Sequence, residues 1–278
     1  MNVFQEFLDP GSAVLRWGHV SSAILWLGPQ FYFAFVAPAA RAGLEPAALR
    51  ALDLELTPRL SWWLRWGAAL TWSLGFVLLF LTYYRTTLLL DVAAIDAFEL
   101  EQFLGPDGRP TPRAWIPGFL ALIGAVAVYE LLARVLRSAK LELAVLGLYF
   151  AAAIGGSTFL AGECHFAGRA LFVQLGAMTA SVMASNVWLH IWPAERRAWI
   201  ARRAGQAPDA RDLELAATRA RHNTLATMPV VLLMLSNHHP SLYGGNLAPW
   251  PLVAAVLCAF GVLASLPFTP LGKLTPRP

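Results

Sequence analysis

The residues best able to do chemistry here are six histidines. His222-Asn223 opens an apolar run, Asn237-His238-His239 closes it, and Pro229 lies between them. At about 1.5 Å per residue, a helix from His222 to His238 extends about 24 Å. That approaches the roughly 30 Å hydrocarbon core of a bilayer. Imidazole titrates near neutrality and ligates transition metals, so its placement at both ends of such a helix suits proton or electron transfer. Pro229 frees a backbone carbonyl near the middle, which either borders a cavity or marks a packing kink. Cys164-His165 resembles the end of a covalent haem-attachment motif, but Ala161 stands where the first cysteine is required. That chemistry is excluded, and Cys164 and Cys258 fit no zinc spacing.

The elements that must position these groups are apolar throughout. Hydrophobic residues make up 57% of the 278 residues and charged residues only 14%, against roughly 25% charged in soluble domains. This is the composition of a polytopic membrane protein. Seven apolar segments are long enough to matter, at about 13–39, 61–84, 114–136, 142–161, 169–192, 223–239 and 249–268. The expected fold is an all-α transmembrane bundle of about seven helices in one integral membrane domain, because a lipid-exposed backbone must satisfy its own polar groups. Eleven tryptophans and six tyrosines suit interfacial belts. The net charge of +4 comes from clustered arginines, which reads as topology and not as affinity for nucleic acid. The first 12 residues lack a basic leader, so the first apolar run is expected to remain as a helix.

Arginine placement orients the bundle. Loop 194–221 holds Arg196, Arg197, Arg202, Arg203, Arg211, Arg219 and Arg221, and the 137–140 turn adds Arg137 and Lys140. Loop 85–113 is acidic instead, with Asp91, Asp96, Glu99, Glu101 and Asp107. The expectation is that 40–60, 137–141, 194–221 and the C-terminus lie inside. The N-terminus, 85–113, 162–168 and 240–248 then lie outside. His19, His165, His238 and His239 fall on the outer side, His190 and His222 on the inner.

Arg16-Trp17-Gly18-His19 runs into Trp26-Leu27-Gly28 and Phe31-Tyr32-Phe33. Arg65-Trp66, Thr71-Trp72, Gly75-Phe76, Tyr83-Tyr84 and Leu90-Asp91 follow in order. A last block is Gly176-Ala177-Met178, Asn186-Val187, Pro193, Arg221-His222-Asn223, Leu235-Ser236-Asn237-His238 and Pro240. Over roughly residues 14–245 these motifs resemble the membrane domain of the bacterial cytochrome-c-linked urate oxidases, the urate oxidase N-terminal family. The resemblance implies a bacterial inner-membrane protein that oxidises a purine and passes electrons to cytochrome c. Departures are marked. Trp62 stands where the family has a histidine, Gly67 where it has a glutamate, and Gln174 where it has a helix 5 histidine. Ala194-Glu195 replaces an Asn-Gln pair, and no CxxCH of a fused cytochrome c is present.

Within that resemblance, His19 and His238 are the expected axial ligands of a haem b, with His239 or His165 able to replace His238. Arg16 and Arg169 are expected to pair with its propionates. Arg221, His222 and Asn223 are the expected substrate-handling or catalytic cluster at the inner face. The plainer reading makes each histidine an interfacial residue bonded to a neighbour, and His190 most of all. Glu130 and Arg134 read as an i,i+4 pair, and Gln174 and Asn186 as interhelical hydrogen bonds. The external stretch Val92–Leu104 mixes acids and apolar residues at roughly helical spacing, which offers a basic cytochrome c a dock. The expected function is an integral membrane redox protein similar to the membrane part of urate dehydrogenase, passing electrons to a separate periplasmic cytochrome c or another membrane redox subunit. The alternative is a non-catalytic anchor or assembly subunit of a larger complex.

Overall fold

The computed structural model describes residues 10–136, 141–244 and 249–266. Among these the chain is helical, without strands. Helix α1 covers Pro10–Phe31 and continues through a π-helical turn, Tyr32–Val36, into Ala37–Ala42. Helix α2 is Pro46–Tyr84, α3 Ala97–Phe103, α4 Pro112–Val135, α5 Glu142–Glu163 and α6 Gly168–Arg203. Helix α7 is Ala210–Leu235 and α8 is Trp250–Ser265. Pro46 and Pro112 stand at helix starts after extended Glu45 and Thr111, where a missing N–H costs nothing and the fixed φ is already helical. The α6–α7 turn contains Gly205 at φ +76°, a left-handed conformation that favours glycine.

Among the described residues four helices, α2, α4, α5 and α6, are long and apolar enough to cross a membrane, where sequence patterning leads one to expect seven segments. The other three have local reasons. Arg16, His19 and Gln30 interrupt the apolar run of Pro10–Phe31. Helix α7 begins with more than a dozen mostly polar residues, and α8 has only 16 residues. The stretch 194–221 is no open loop. Helix α6 runs on to Arg203 and α7 begins at Ala210, and the carboxylate of Asp212 accepts hydrogen bonds from Arg197 Nε at 2.8 Å and Nη2 at 2.6 Å. The expected 137–140 turn lies outside the described residues.

The chain divides into two compact units, Met1–Leu74 with Met183–Leu225 and Ser265–Pro278, and Gly75–Val182 with Ala226–Ala264. In the first, α1 and α2 cross at backbone contact. A Cβ on Gly67 would sit 2.6 Å from the Trp26 nitrogen and 2.9 Å from the Leu25 carbonyl carbon, distances no side chain tolerates. In the second, α7 and α8 meet in the same way at Pro229 and Gly261, so Pro229 serves close packing. Gln174 is buried and bridges two partners, donating to the Gly118 carbonyl at 2.7 Å and accepting from the Tyr84 hydroxyl at 2.8 Å. The Glu130–Arg134 pair forms at 2.9 Å. Cys164 and Cys258 are free and buried.

Candidate functional site

In the first unit, the end of α1, the start of α2, the end of α6 and the first half of α7 leave a cavity of about 420 Å³. That is an ordinary volume for a small-molecule site. Phe33 and Trp192 line it with ring surface, and Gln30, Glu195, Arg41, Arg202 and Arg221 bring polar groups to it. Three of these are guanidinium groups, which stay charged and present planar forks of donors suited to carboxylate-like or heterocyclic anions.

Backbone irregularity shapes this wall. π-Helical turns cover Tyr32–Val36, Leu52–Leu56 and Asn186–Ile191. Such turns admit one extra residue and recur at functional sites. The first and third contribute Phe33, Ala34, Val187 and Ile191 to the lining. The second carries Asp53, whose Oδ1 accepts from Arg41 Nη2 and whose Oδ2 lies 3.4 Å from Arg202 Nε. Asp53 therefore ties together two of the three cavity arginines. Trp199 Nε1 donates to the Leu54 carbonyl at 3.3 Å and holds the same turn against α6. Glu195 stands within electrostatic reach of Arg202, Arg41 and Asp53.

Behind the ring wall lies an aromatic cage. The Arg65 guanidinium is 4.2 Å from the Trp192 ring centroid, 5.2 Å from that of Trp66 and 5.5 Å from that of Trp188. Trp188 Nε1 donates to the Arg65 carbonyl at 3.1 Å. A cation against several indole faces is favourable, and here it fixes the plane of Trp192.

The three residues expected to form the inner cluster separate. Arg221 reaches the cavity, with its Nη2 donating to Thr218 Oγ1 at 3.0 Å. His222 and Asn223 are buried at 2% and 1% exposure and do not line it. Asn223 accepts from Asn186 Nδ2 at 2.9 Å and donates to the Met183 carbonyl at 2.9 Å, while Asn186 accepts from buried Arg219 at 3.3 Å. That is a polar network inside the helix packing, the interhelical role foreseen for Asn186.

A family model described as urate oxidase N-terminal matches residues 52–270. The chain belongs to the urate oxidase N-terminal family. No curated protein and no solved structure matches it. For this member of the urate oxidase N-terminal family, two departures now have physical causes. No glutamate fits at position 67, because the α1 backbone occupies that space. Trp62 is exposed and meets Trp63 edge-to-face, with ring centroids 4.9 Å apart, and does not line the cavity.

The histidines expected on the outer side differ in their settings. His19 Nδ1 lies 2.9 Å from the Thr71 carbonyl oxygen. A carbonyl can only accept, so Nδ1 carries the hydrogen and neutral His19 keeps its lone pair on Nε2. Ligating histidines are held in this way, so His19 fits the donor chemistry of a haem or metal ligand. Arg16 is half-buried one turn earlier on α1. His238, in the second unit, is exposed in the turn Ser236–His238 that ends α7, and His239 is exposed beside it. Arg169 is half-buried in the first turn of α6. His165 is committed elsewhere. It has φ 54°, its Nε2 is 3.4 Å from Glu99, and its ring centroid is 4.9 Å from that of Phe103. His190 is half-buried within the π-turn of α6. Among the described residues no group of three or more His, Cys, Asp or Glu gathers to hold a metal ion.

Patterning in the sequence missed Arg41, Arg202, Glu195 and Asp53 as site residues. The signal for the arginines was present but ambiguous, since a basic residue at a helix end is also what topology requires.

Proposed function

We propose that this chain is a multi-pass redox protein of the bacterial inner membrane. Its cavity takes a small anionic heterocycle of the purine type from the cytoplasmic side. The observation that carries this reading is the convergence of Arg41, Arg202 and Arg221 on a cavity walled by Phe33 and Trp192, in a chain of the urate oxidase N-terminal family. The arginine-rich ends of α6 and α7 border the cavity, and the positive-inside rule assigns such ends to the cytoplasm. The N-terminus then lies outside, and the remaining apolar segments complete a bundle of about seven spans.

A haem b held through His19 would supply one-electron chemistry on the periplasmic side. Arg16, one turn earlier on α1, is suited to a propionate. The acceptor in this reading is a periplasmic cytochrome c or another membrane redox subunit, docked through the acidic stretch around α3. The second reading, a non-catalytic anchor or assembly subunit, is favoured by the loss of the family's glutamate and histidine at Gly67 and Trp62. Absorption spectra separate the two. The redox reading requires a Soret band in the purified protein that urate reduces, and its loss in His19→Ala. A colourless protein, or an unchanged spectrum in His19→Ala, would refute the haem assignment.

A further inference from the structure

We propose that Asp53 is an internal counter-anion of the cavity: it holds Arg41 and Arg202 while the cavity carries no anion, and an incoming anionic ligand displaces it. The inference rests on reading the cavity as an anion site and adds to it a competitor built into the chain. The geometry is specific. One carboxylate spans two guanidinium groups, Oδ1 to Arg41 and Oδ2 to Arg202 at 3.4 Å. Both arginines line the cavity, whereas Asp53 does not. All three side chains are partly exposed, at 35%, 23% and 17% for Arg41, Arg202 and Asp53, so the pairs are exchangeable and not locked into a dry core.

Two consequences follow from charge alone. With Asp53 in place, one guanidinium charge beside the cavity is cancelled within the protein, on a wall that already carries the Glu195 carboxyl, so the attraction offered to a ligand anion is reduced and neutral or weakly charged molecules compete better. When a ligand anion takes over the two guanidinium forks, the π-turn Leu52–Leu56 loses its Asp53 ties to Arg41 and Arg202, while the Trp199 hydrogen bond to the Leu54 carbonyl remains. That turn is flanked by Pro46–Ala51 and lies just beyond Gly43, which ends α1. Occupancy of the cavity is thereby coupled to loosening of residues 46–56, and Asp53 acts as a specificity-setting and regulatory residue without touching the ligand.

The test is calorimetric binding of urate, a monoanion at pH 7, and hypoxanthine, which is neutral there, to the full chain in lipid nanodiscs. Asp53→Asn should bind urate about tenfold tighter, or about 1.4 kcal/mol, with a steeper salt dependence and no gain for hypoxanthine. Arg202→Gln should weaken urate at least tenfold. In the wild type, urate should speed hydrogen–deuterium exchange across 46–56. This readout stands even if Asp53→Asn folds poorly. Unchanged or weaker urate binding by Asp53→Asn, while Arg202→Gln still weakens it, overturns the counter-anion role but leaves the anion site standing. Unaltered exchange across 46–56 in a urate-saturated wild type does the same. Urate binding that is absent, or indifferent to Arg202→Gln, overturns the site and the counter-anion role together.

Discussion

Replacing Asn223 with alanine separates scaffold from site. The side chain is 1% exposed and exchanges hydrogen bonds of 2.9 Å with Asn186 and with the Met183 carbonyl. Interhelical hydrogen bonds in membrane bundles contribute on average about 0.6 kcal/mol and at most about 1.7. Two lost bonds therefore remove about 1–3 kcal/mol. Taking one partner out of a buried hydrogen-bond network adds part of the roughly 1–3 kcal/mol that such a loss costs, and Arg219 loses a firmly held acceptor. The expected total is about 3 kcal/mol, or a fall in Tm of roughly 6–12 °C at 2–4 °C per kcal/mol. Because Asn223 does not line the cavity, urate affinity of the protein that remains folded should stay within about threefold of wild type, well under the 1.4 kcal/mol of a tenfold change. Differential scanning fluorimetry and calorimetric binding on the same preparation give both numbers. An Asn223→Ala protein that melts like wild type yet binds urate more than tenfold weaker would show that Asn223 works in the site, and the separation drawn here between Arg221 and Asn223 would be wrong.

Gly67→Ala should destabilise by about 2 kcal/mol or more, the cost of forcing volume into a filled contact. The added Cβ meets backbone atoms of Leu25 and Trp26 that have no rotamer to yield. Gly28→Ala has nothing within 4 Å and should be neutral, so thermal melts that rank the two the other way would contradict the described crossing of α1 and α2. The Arg197 hydrogen bonds hold the Asp212 carboxyl below its ordinary value. A group with a depressed folded-state pKa stabilises above its unfolded pKa of about 3.9 and loses that contribution as pH falls through the lower value. The difference in Tm between wild type and Asp212→Asn should thus be present at pH 6, shrink below about pH 4, and shrink with salt because the pair is exposed. A difference that grows on acidification would reverse the assigned sign.

Much of the helical order was legible in the apolar runs, since a run such as Leu143–Leu160 has little choice but to form a buried or lipid-facing helix. Gln174 and Asn186 were legible as interhelical amides, because an uncharged donor–acceptor group on an apolar helix must find a partner. The extent of α6 was not. Its last turns are rich in arginine, which topology rules assign to a loop, yet alanine, glutamate and arginine are also good helix formers, and Asp212 holds Arg197 across the turn. The cavity was least legible. Arg41 lies on α1, well over a hundred residues before Arg202 on α6 and Arg221 on α7, and no local period records that their ends meet. His19 was legible as a candidate. The Thr71 carbonyl that sets its tautomer was not, because it is a backbone atom that every residue possesses.

The three π-turns beside the cavity also bear on ancestry. A π-turn arises when one residue is added to an α-helix, and one residue is a rotation of about 100°. A relative that lacks the extra residue near Leu52–Leu56 or Asn186–Ile191 would turn its following side chains onto a different face of the helix while keeping its motifs in order. Ungapped comparison across positions 53 and 195 would then equate residues that point in different directions, and a lineage could gain part of this cavity wall by a single-codon insertion and lose it by the matching deletion.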